Sequence, residues 1–332
     1  RALPGPVTWI ESRARGRRVP GLSQISSLLN AARIGRASRG ALSAADVVHV
    51  HSNGLLPEVA GLLASRAGTP VVLTLYGTEI WHYRARRGGL DLFTRMYRAA
   101  RHVTFYSGAL RDRAVELGLT RGGMSVIYPP VAGYFARAGE GERRAARVEL
   151  GLRESNVLVN VKRLHPLAGQ RRLLDAMPSV LRAHPDTRLV ICGTGPLRDE
   201  LAAQAAALGV SERVTFAGLV DNRTVARYQQ AADLFVLPSE LEALPTVAVE
   251  ALAAGTPVVS TDNPGGVELG RLFGDDVRVV DRSQPGELAS AIVEFLAAAR
   301  RTRPSSDAVL EREFSPAVVA ERFAQVYRGV LQ

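Results

Sequence analysis

The sequence predicts an α/β protein: two doubly wound, parallel-sheet domains facing a cleft. Three observations carry that expectation. The 332 residues fit two domains at roughly 100–200 residues each. Short β-branched apolar runs alternate with helix-period segments, the pattern of parallel strands covered on both faces by helices. The alternation breaks once, at residues 132–151, where Gly, Ala and charged residues take over.

In the first half, Asp46–His51 reads as a strand and Leu56–Arg66 as a helix ending near Gly68. Pro70–Leu75 is the next buried strand, followed by a loop with Gly77 and the Gly88-Gly89 pair. Leu90–Arg101 is a helix, His102–Tyr106 a strand, Ala109–Leu117 a helix stopped by Gly118, and Ser125–Tyr128 a short strand. The boundary is expected in the Gly-rich stretch, giving a first domain over residues 1–140 and a second over 150–312. In the second half, Asn156–Val161 is a strand and Gly169–His184 a helix interrupted by Pro178. Arg188–Cys192, Val214–Phe216, Leu234–Leu237 and Val258–Ser260 are further strands, with helices opening near Pro196, Asn222 and Thr246. Residues 313–332 form a separate C-terminal helix.

Composition narrows the class. Apolar residues are 46%, charged 22% and aromatic 6%, an ordinary globular mix that excludes fibrous and disordered chains. No run approaches the ~18 apolar residues of a membrane-spanning helix. The single cysteine, Cys192, excludes a disulfide framework or Cys-rich metal centre and points to a reducing compartment, hence a cytoplasmic location. The chain opens on Arg1, so it is read as a fragment or a processed product.

Charge is unevenly spread. Residues 1–150 carry +12 and residues 151–332 carry −2, and Lys162 is the only lysine. A basic domain attracts anionic partners, and each basic residue near an anionic membrane is worth about 1 kcal/mol. An anionic membrane surface or acceptor is therefore an expected partner, against the alternative of a merely well-solvated surface. Nucleic acid is not expected, since no nucleic-acid motif accompanies the charge.

The chemistry-bearing residues cluster after strands, where ligands bind such sheets. Glu242 and Glu250 flank a segment that runs from a loop into a helix, with Pro245 setting the backbone and Thr246 capping. The helix start, Leu244-Pro245-Thr246, offers free N–H groups to a phosphate. A nearby carboxylate can accept two hydrogen bonds from vicinal hydroxyls. The same spacing also fits an ordinary loop–helix junction. Gly193-Thr-Gly195-Pro is a tight strand-to-helix turn, but Arg198 stands where a dinucleotide fingerprint needs glycine. Lys162-Arg163 ends a strand, where Arg163 could pair two phosphate oxygens. No His-x-x-x-His or Asp-x-Asp pair is present, and no metal is expected. His49 and His51 are assigned to opposite faces of their strand. His51 and His82, at strand-end loops, stay as candidates.

Several of these motifs, in order and spacing, resemble the family 4 retaining glycosyltransferases. The matches are Arg163-Leu164, Pro166 and Gly169; Gly193-Thr-Gly-Pro196; Ala231 to Ser239; Glu242 to Glu250 and on through Pro257; and Gly265-Gly266-Val-Glu268. The first half matches more loosely, through Asp46–His51 and Pro70–Glu79. The resemblance implies the GT-B fold of two Rossmann-like domains and transfer of a sugar from a nucleotide-diphosphate-sugar donor with retention of configuration. It implies no cofactor beyond that donor substrate. The acceptor would be a glycan, a lipid-linked sugar of the cell envelope or a small polyol, held by the N-terminal domain, and the enzyme would be cytoplasmic or peripheral on the membrane. By the same resemblance Glu250 would bind the ribose, Glu242 the sugar and Arg163 the diphosphate, with Lys162, Gly193, Gly195, Leu244, Pro245 and Thr246 completing the donor site.

Three departures stand out. Ala168 replaces a lysine that usually accompanies the arginine, a role Lys162 could take over. Tyr76 stands where the family often has a sugar-contacting histidine, and is counted with the catalytic candidates. The family's first strand and Gly-rich loop are expected to be missing from the N-terminal domain. Ala168 and Tyr76 together motivate an alternative, a catalytically silent nucleotide-sugar-binding module.

Overall fold

Two separate parallel sheets organise the chain in the computed structural model, which describes residues 40–42, 44–51, 55–84, 91–120, 122–284 and 286–332. The first compact unit comprises residues up to Ile127 together with Glu321–Gln332, and the second comprises Tyr128–Ala320. Both have the α/β character that the alternation predicts.

The first unit holds β1 (Val48–His51), β2 (Val71–Leu75), β3 (His102–Phe105) and β4 (Met124–Val126), paired in that order and all parallel. Its core joins Leu73, Leu75, Val103 and Phe105 to Met96, Tyr97 and Leu110 of the neighbouring helices. The helix expected from Leu90 spans Leu92–Ala99, because Asp91 caps it by accepting the Thr94 amide at 3.0 Å. Residues 1–39, where an absent first strand would be judged, and the Gly88-Gly89 pair lie outside the described residues.

The second unit holds β5 (Asn156–Val161), β6 (Thr187–Cys192), β7 (Val214–Gly218), β8 (Leu234–Leu237), β9 (Val258–Thr261) and β10 (Val277–Val280). Their order, β10-β9-β8-β5-β6-β7, is that of doubly wound nucleotide-binding sheets, 3-2-1-4-5-6 when renumbered from β5. Alternate residues feed two cores. Leu158, Leu189, Ile191 and Val236 face one, and Val157, Val159, Val190 and Phe235 the other. The helix Gln170–Ala183 runs continuously through Pro178 rather than breaking there. Its packing in the apolar core, through Leu173, Leu174, Met177 and Val180, outweighs the lost N–H.

The 132–151 stretch, expected as the boundary, falls within the second unit. Helix Glu140–Glu149 sends Arg143 and Arg147 to the Asp233 carboxylate, Arg147 at 2.6 Å, and Asp233 also accepts the Val157 amide at 2.6 Å. One carboxylate thus ties the segment to the start of β5. The final helix spans Pro316–Leu331, and its last turns belong to the first unit rather than standing apart.

Candidate active site

In a doubly wound sheet, ligands bind beyond the carboxyl ends of the strands where the strand order reverses. Here that point lies between β5 and β8. The chain leaves β5 as Lys162-Arg163 and leaves β8 toward Glu242, so the topology brings both candidate segments to one place.

The exit from β5 is held by the exit from β6. The Lys162 amide donates to Cys192 O at 3.0 Å and the Leu164 amide to Thr194 O at 3.0 Å. A Cβ on Gly193 would sit 2.1 Å from Lys162 O, and one on Gly195 2.2 Å from Leu164 O. Gly193 also has φ 141°, a region that L side chains rarely adopt. Both glycines are thus required for the two strand exits to run side by side. That registry turns Lys162 and Arg163 out at the sheet edge. The Arg163 side chain is exposed and has no ion pair among the described residues.

Lys162 Nζ lies 2.7 Å from Glu242 Oε1, with the Glu242 side chain only 10% exposed. The Glu242 loop is fixed from behind: its carbonyl accepts the Gly265 amide at 3.0 Å, and a Cβ on Gly265 would lie 2.7 Å from Pro245 Cδ. Leu244 is buried in the core, so its side chain anchors the loop rather than facing a ligand.

The helix after this loop spans Thr246–Ala253 with Pro245 as its N-cap and no side-chain cap. Thr246 is therefore the first helical residue, not the cap expected from sequence; Pro245 takes the cap position, and its carbonyl accepts the Ala248 amide at 2.9 Å. The first-turn amides of Thr246 and Val247 have no intrahelical acceptor and remain available to an anion. Glu250 lies one turn further on. Its carboxylate has no hydrogen-bond or ion-pair partner among the described residues, and burial pushes its pKa up to about 7. A desolvated, unpartnered carboxylate is a strong acceptor for hydroxyl donors.

Ala168 is buried on the short turn Pro166–Ala168. Two buried polar atoms nearby, Gln170 Oε1 and Ser239 Oγ, have no hydrogen-bond partner among the described residues. Nothing in the local sequence marks them, because their burial depends on Gly169 packing against the end of β8. A Cβ there would meet Pro238 O at 1.8 Å.

In the first unit, Tyr76 follows β2. Its amide and that of Gly77 donate to the Glu79 carboxylate at 2.6 and 3.2 Å, so Glu79 fixes the turn. Its hydroxyl lies 2.6 Å from His51 Nδ1, and its ring meets Tyr106 edge-on at 4.3 Å. Burial, then the neighbouring Tyr106, raises the Tyr76 pKa, so the phenol keeps its proton. His49 and His51 are not on opposite faces: their ring centroids are 3.8 Å apart. Alternation places neighbours on opposite faces and residues two apart on the same one. His82 is exposed beyond the short helix Thr78–Trp81.

The profile of "Glycosyl transferases group 1" matches residues 142–307, and that of "Glycosyltransferase Family 4" matches residues 5–132. A GDP-mannose-dependent alpha-(1-6)-phosphatidylinositol monomannoside mannosyltransferase of Mycolicibacterium smegmatis is 32% identical over 73% of this chain and 65% of its own length. A glycogen synthase of Mycobacterium tuberculosis is 31% identical over 85% of this chain and 68% of its own. A D-inositol 3-phosphate glycosyltransferase of Segniliparus rotundus is 36% identical over 58% of this chain, which spans only 44% of that relative. Among solved structures, Anabaena HepE in complex with UDP superposes with a TM-score of 0.75 at 21% identity, over 94% of this chain and 84% of that one. Sucrose-phosphate synthase from Thermosynechococcus elongatus superposes with 0.74 at 20% identity, over 94% and 80%. The sheet order, the matched motifs and these relatives lead to one conclusion: the chain belongs to glycosyltransferase family 4 and has the GT-B fold.

Proposed function

We propose that the protein transfers a sugar from a nucleotide-diphosphate-sugar donor to a hydroxyl acceptor, with retention of anomeric configuration and without a metal ion. The observation that carries this reading is the grouping at the β5–β8 switch point. The free guanidinium of Arg163 and the uncapped helix start at Thr246 suit a diphosphate. The unpartnered Glu250 suits the vicinal hydroxyls of a ribose. Glu242, oriented by Lys162, suits the sugar. As the donor bond breaks, charge builds on the diphosphate, and preorganised cations and amides stabilise that charge. Each charge-assisted hydrogen bond is worth ~1.5–3 kcal/mol, so loss of Arg163 should cost at least tenfold in rate.

The relatives are named for glycan, inositol phosphate and phosphatidylinositol acceptors. The acceptor proposed here is of that kind: a glycan, a lipid-linked sugar or a small polyol. The basic N-terminal half supports peripheral attachment to an anionic membrane on the cytoplasmic side. Such attachment should weaken steeply with salt, since surface charges are screened within ~8–10 Å at physiological ionic strength.

One observation favours a second reading. Lys162 is engaged by Glu242 and Ala168 is buried, which leaves Arg163 as the cation of the β5 exit with no ion pair among the described residues. A catalytically silent module that only binds nucleotide-sugar fits this arrangement. The test is release of nucleoside diphosphate from UDP- and GDP-sugars with a panel of sugar, polyol and lipid-linked acceptors in EDTA, the product anomer being read by NMR. Turnover with retained configuration supports the enzyme. Donor binding without turnover supports the silent module, and an inverted product contradicts retention.

A further inference from the structure

Two buried side-chain amides link β8 to the exit from β5: Asn160 in β5, and Gln170 at the start of the helix Gln170–Ala183. Their orientations follow from chemistry. Asn160 Nδ2 lies 2.9 Å from Val236 O of β8, and a carbonyl can only accept, so Asn160 presents its NH₂ there. Its Oδ1 then faces Gln170 Nε2 at 3.5 Å, and the same Nε2 donates to Arg163 O at 3.2 Å. Both neighbours of that nitrogen are acceptors, so Gln170 presents its NH₂ rather than its oxygen. Gln170 Oε1 has no partner among the described residues. The Gln170 amide is thus buried as a donor, with its acceptor left orphaned.

Arg163 O and the Leu164 N–H belong to one peptide plane. The Leu164 amide donates to Thr194 O at 3.0 Å on one edge of that plane, and Gln170 holds the carbonyl on the other. On the preceding side, the Lys162 amide is held by Cys192 O at 3.0 Å. The Arg163 backbone therefore runs between anchored points, and it sets the direction in which the side chain leaves the strand. No ion pair among the described residues aims the exposed guanidinium, so its direction rests on that backbone. The series Val236, Asn160, Gln170, Arg163 also joins the two strands whose exits carry Glu242 and Arg163.

We propose that Gln170 is a positioning residue for donor binding: its side-chain N–H fixes the peptide after Arg163 and so aims the guanidinium at the diphosphate. This rests on the reading of Arg163 as the diphosphate contact. Asn160 supports the arrangement by holding the Gln170 amide in its donating orientation.

The test is calorimetric titration of UDP, GDP, ADP and TDP into the whole chain as wild type, Gln170→Met, Arg163→Ala and the double variant, with a thermal melt of each. Methionine fills a similar space without a donor. Gln170→Met should weaken binding of whichever diphosphate binds the wild type by roughly fivefold or more, the worth of one hydrogen bond. It should have almost no further effect once Arg163 is alanine, whereas a residue that merely supports the fold would weaken binding equally in both backgrounds. Gln170→Glu supplies the rescue. At pH 5 its buried carboxyl is protonated and donates, and binding should lie within about twofold of the wild type at that pH. At pH 9 the ionised carboxylate only accepts, and binding should be roughly fivefold weaker than the wild type. That comparison decides the question by itself if Gln170→Met does not fold. Unchanged binding in Gln170→Met, equal losses in the two backgrounds, or a Gln170→Glu variant no better at pH 5 than at pH 9 overturns this proposal alone. No diphosphate binding by the wild type, or full binding in Arg163→Ala, overturns the reading on which it rests.

Discussion

Lys162 Nζ and Glu242 Oε1, eighty residues apart in sequence, meet at 2.7 Å across the β5–β8 switch point. With Glu242 10% exposed and Lys162 30% exposed, removing one partner strands a largely buried charge. Losing one partner of a fully buried pair costs ~3–5 kcal/mol, and partial exposure of the lysine reduces that to about 1–3. Lys162→Met should therefore destabilise the second unit by about that amount, and adding Glu242→Gln should recover much of the loss. Urea unfolding of the two single variants and the double variant measures the coupling. Additive losses would mean the contact carries no energy.

With Glu250 in the proposed ribose-binding role, donor binding should depend on pH. Its pKa is raised to about 7 by burial, so it is part-protonated near neutrality, and hydroxyl donors favour the ionised form. Nucleotide affinity should rise as pH increases through about 7, and the rise should vanish in Glu250→Gln. The stability effect has the opposite sign. Ionising a group whose folded pKa is raised costs folding energy, so stability is full below the unfolded value of ~4.3 and falls as pH rises through 7. Glu250→Gln should raise Tm at pH 8 and leave it nearly unchanged at pH 4, as thermal melts at the two pH values would show.

His49 acts in acid. Burial, then the neighbouring His51, lowers its pKa to about 4, so between that value and ~6.5 the unfolded chain binds a proton that the folded chain does not. Stability of the first unit should fall as pH drops through this window, on the order of 1–2 kcal/mol after screening by solvent. His49→Gln should flatten the dependence. Melts between pH 4 and 7 test it, and an unchanged slope in the variant would assign the acid sensitivity elsewhere.

Gly193 is a backbone requirement of the β5 and β6 exits. An alanine there would place Cβ 2.1 Å from Lys162 O at φ 141°. Gly193→Ala should cost about 2–4 kcal/mol from overpacking and strain and should displace Lys162. A stable variant with full nucleotide affinity would refute that role.

Legibility from sequence followed range of interaction. Strands and helices were readable because apolar periodicity is local, and the switch-point location follows from the order of βα units. The Lys162–Glu242 pair was not readable, since it depends on which strand lies beside β5. Thr246 was expected to cap its helix because Thr is a common cap, but the loop enters through Pro245 and leaves Thr246 inside. His49 and His51, expected on opposite faces, share one face because strand residues two apart point the same way. Their anchoring by Thr74, Tyr76 and Tyr327 needed three other elements in position.

The measurement that tests the central claim most directly is calorimetric titration of UDP, GDP, ADP and TDP into the wild-type chain and Glu250→Ala. The predicted result is binding of at least one nucleoside diphosphate, weakened in the variant by ~1.5–3 kcal/mol, or roughly 10- to 150-fold. Binding that is equally tight in the variant, or no binding of any of the four, would contradict the assignment of the β5–β8 switch point as the donor site.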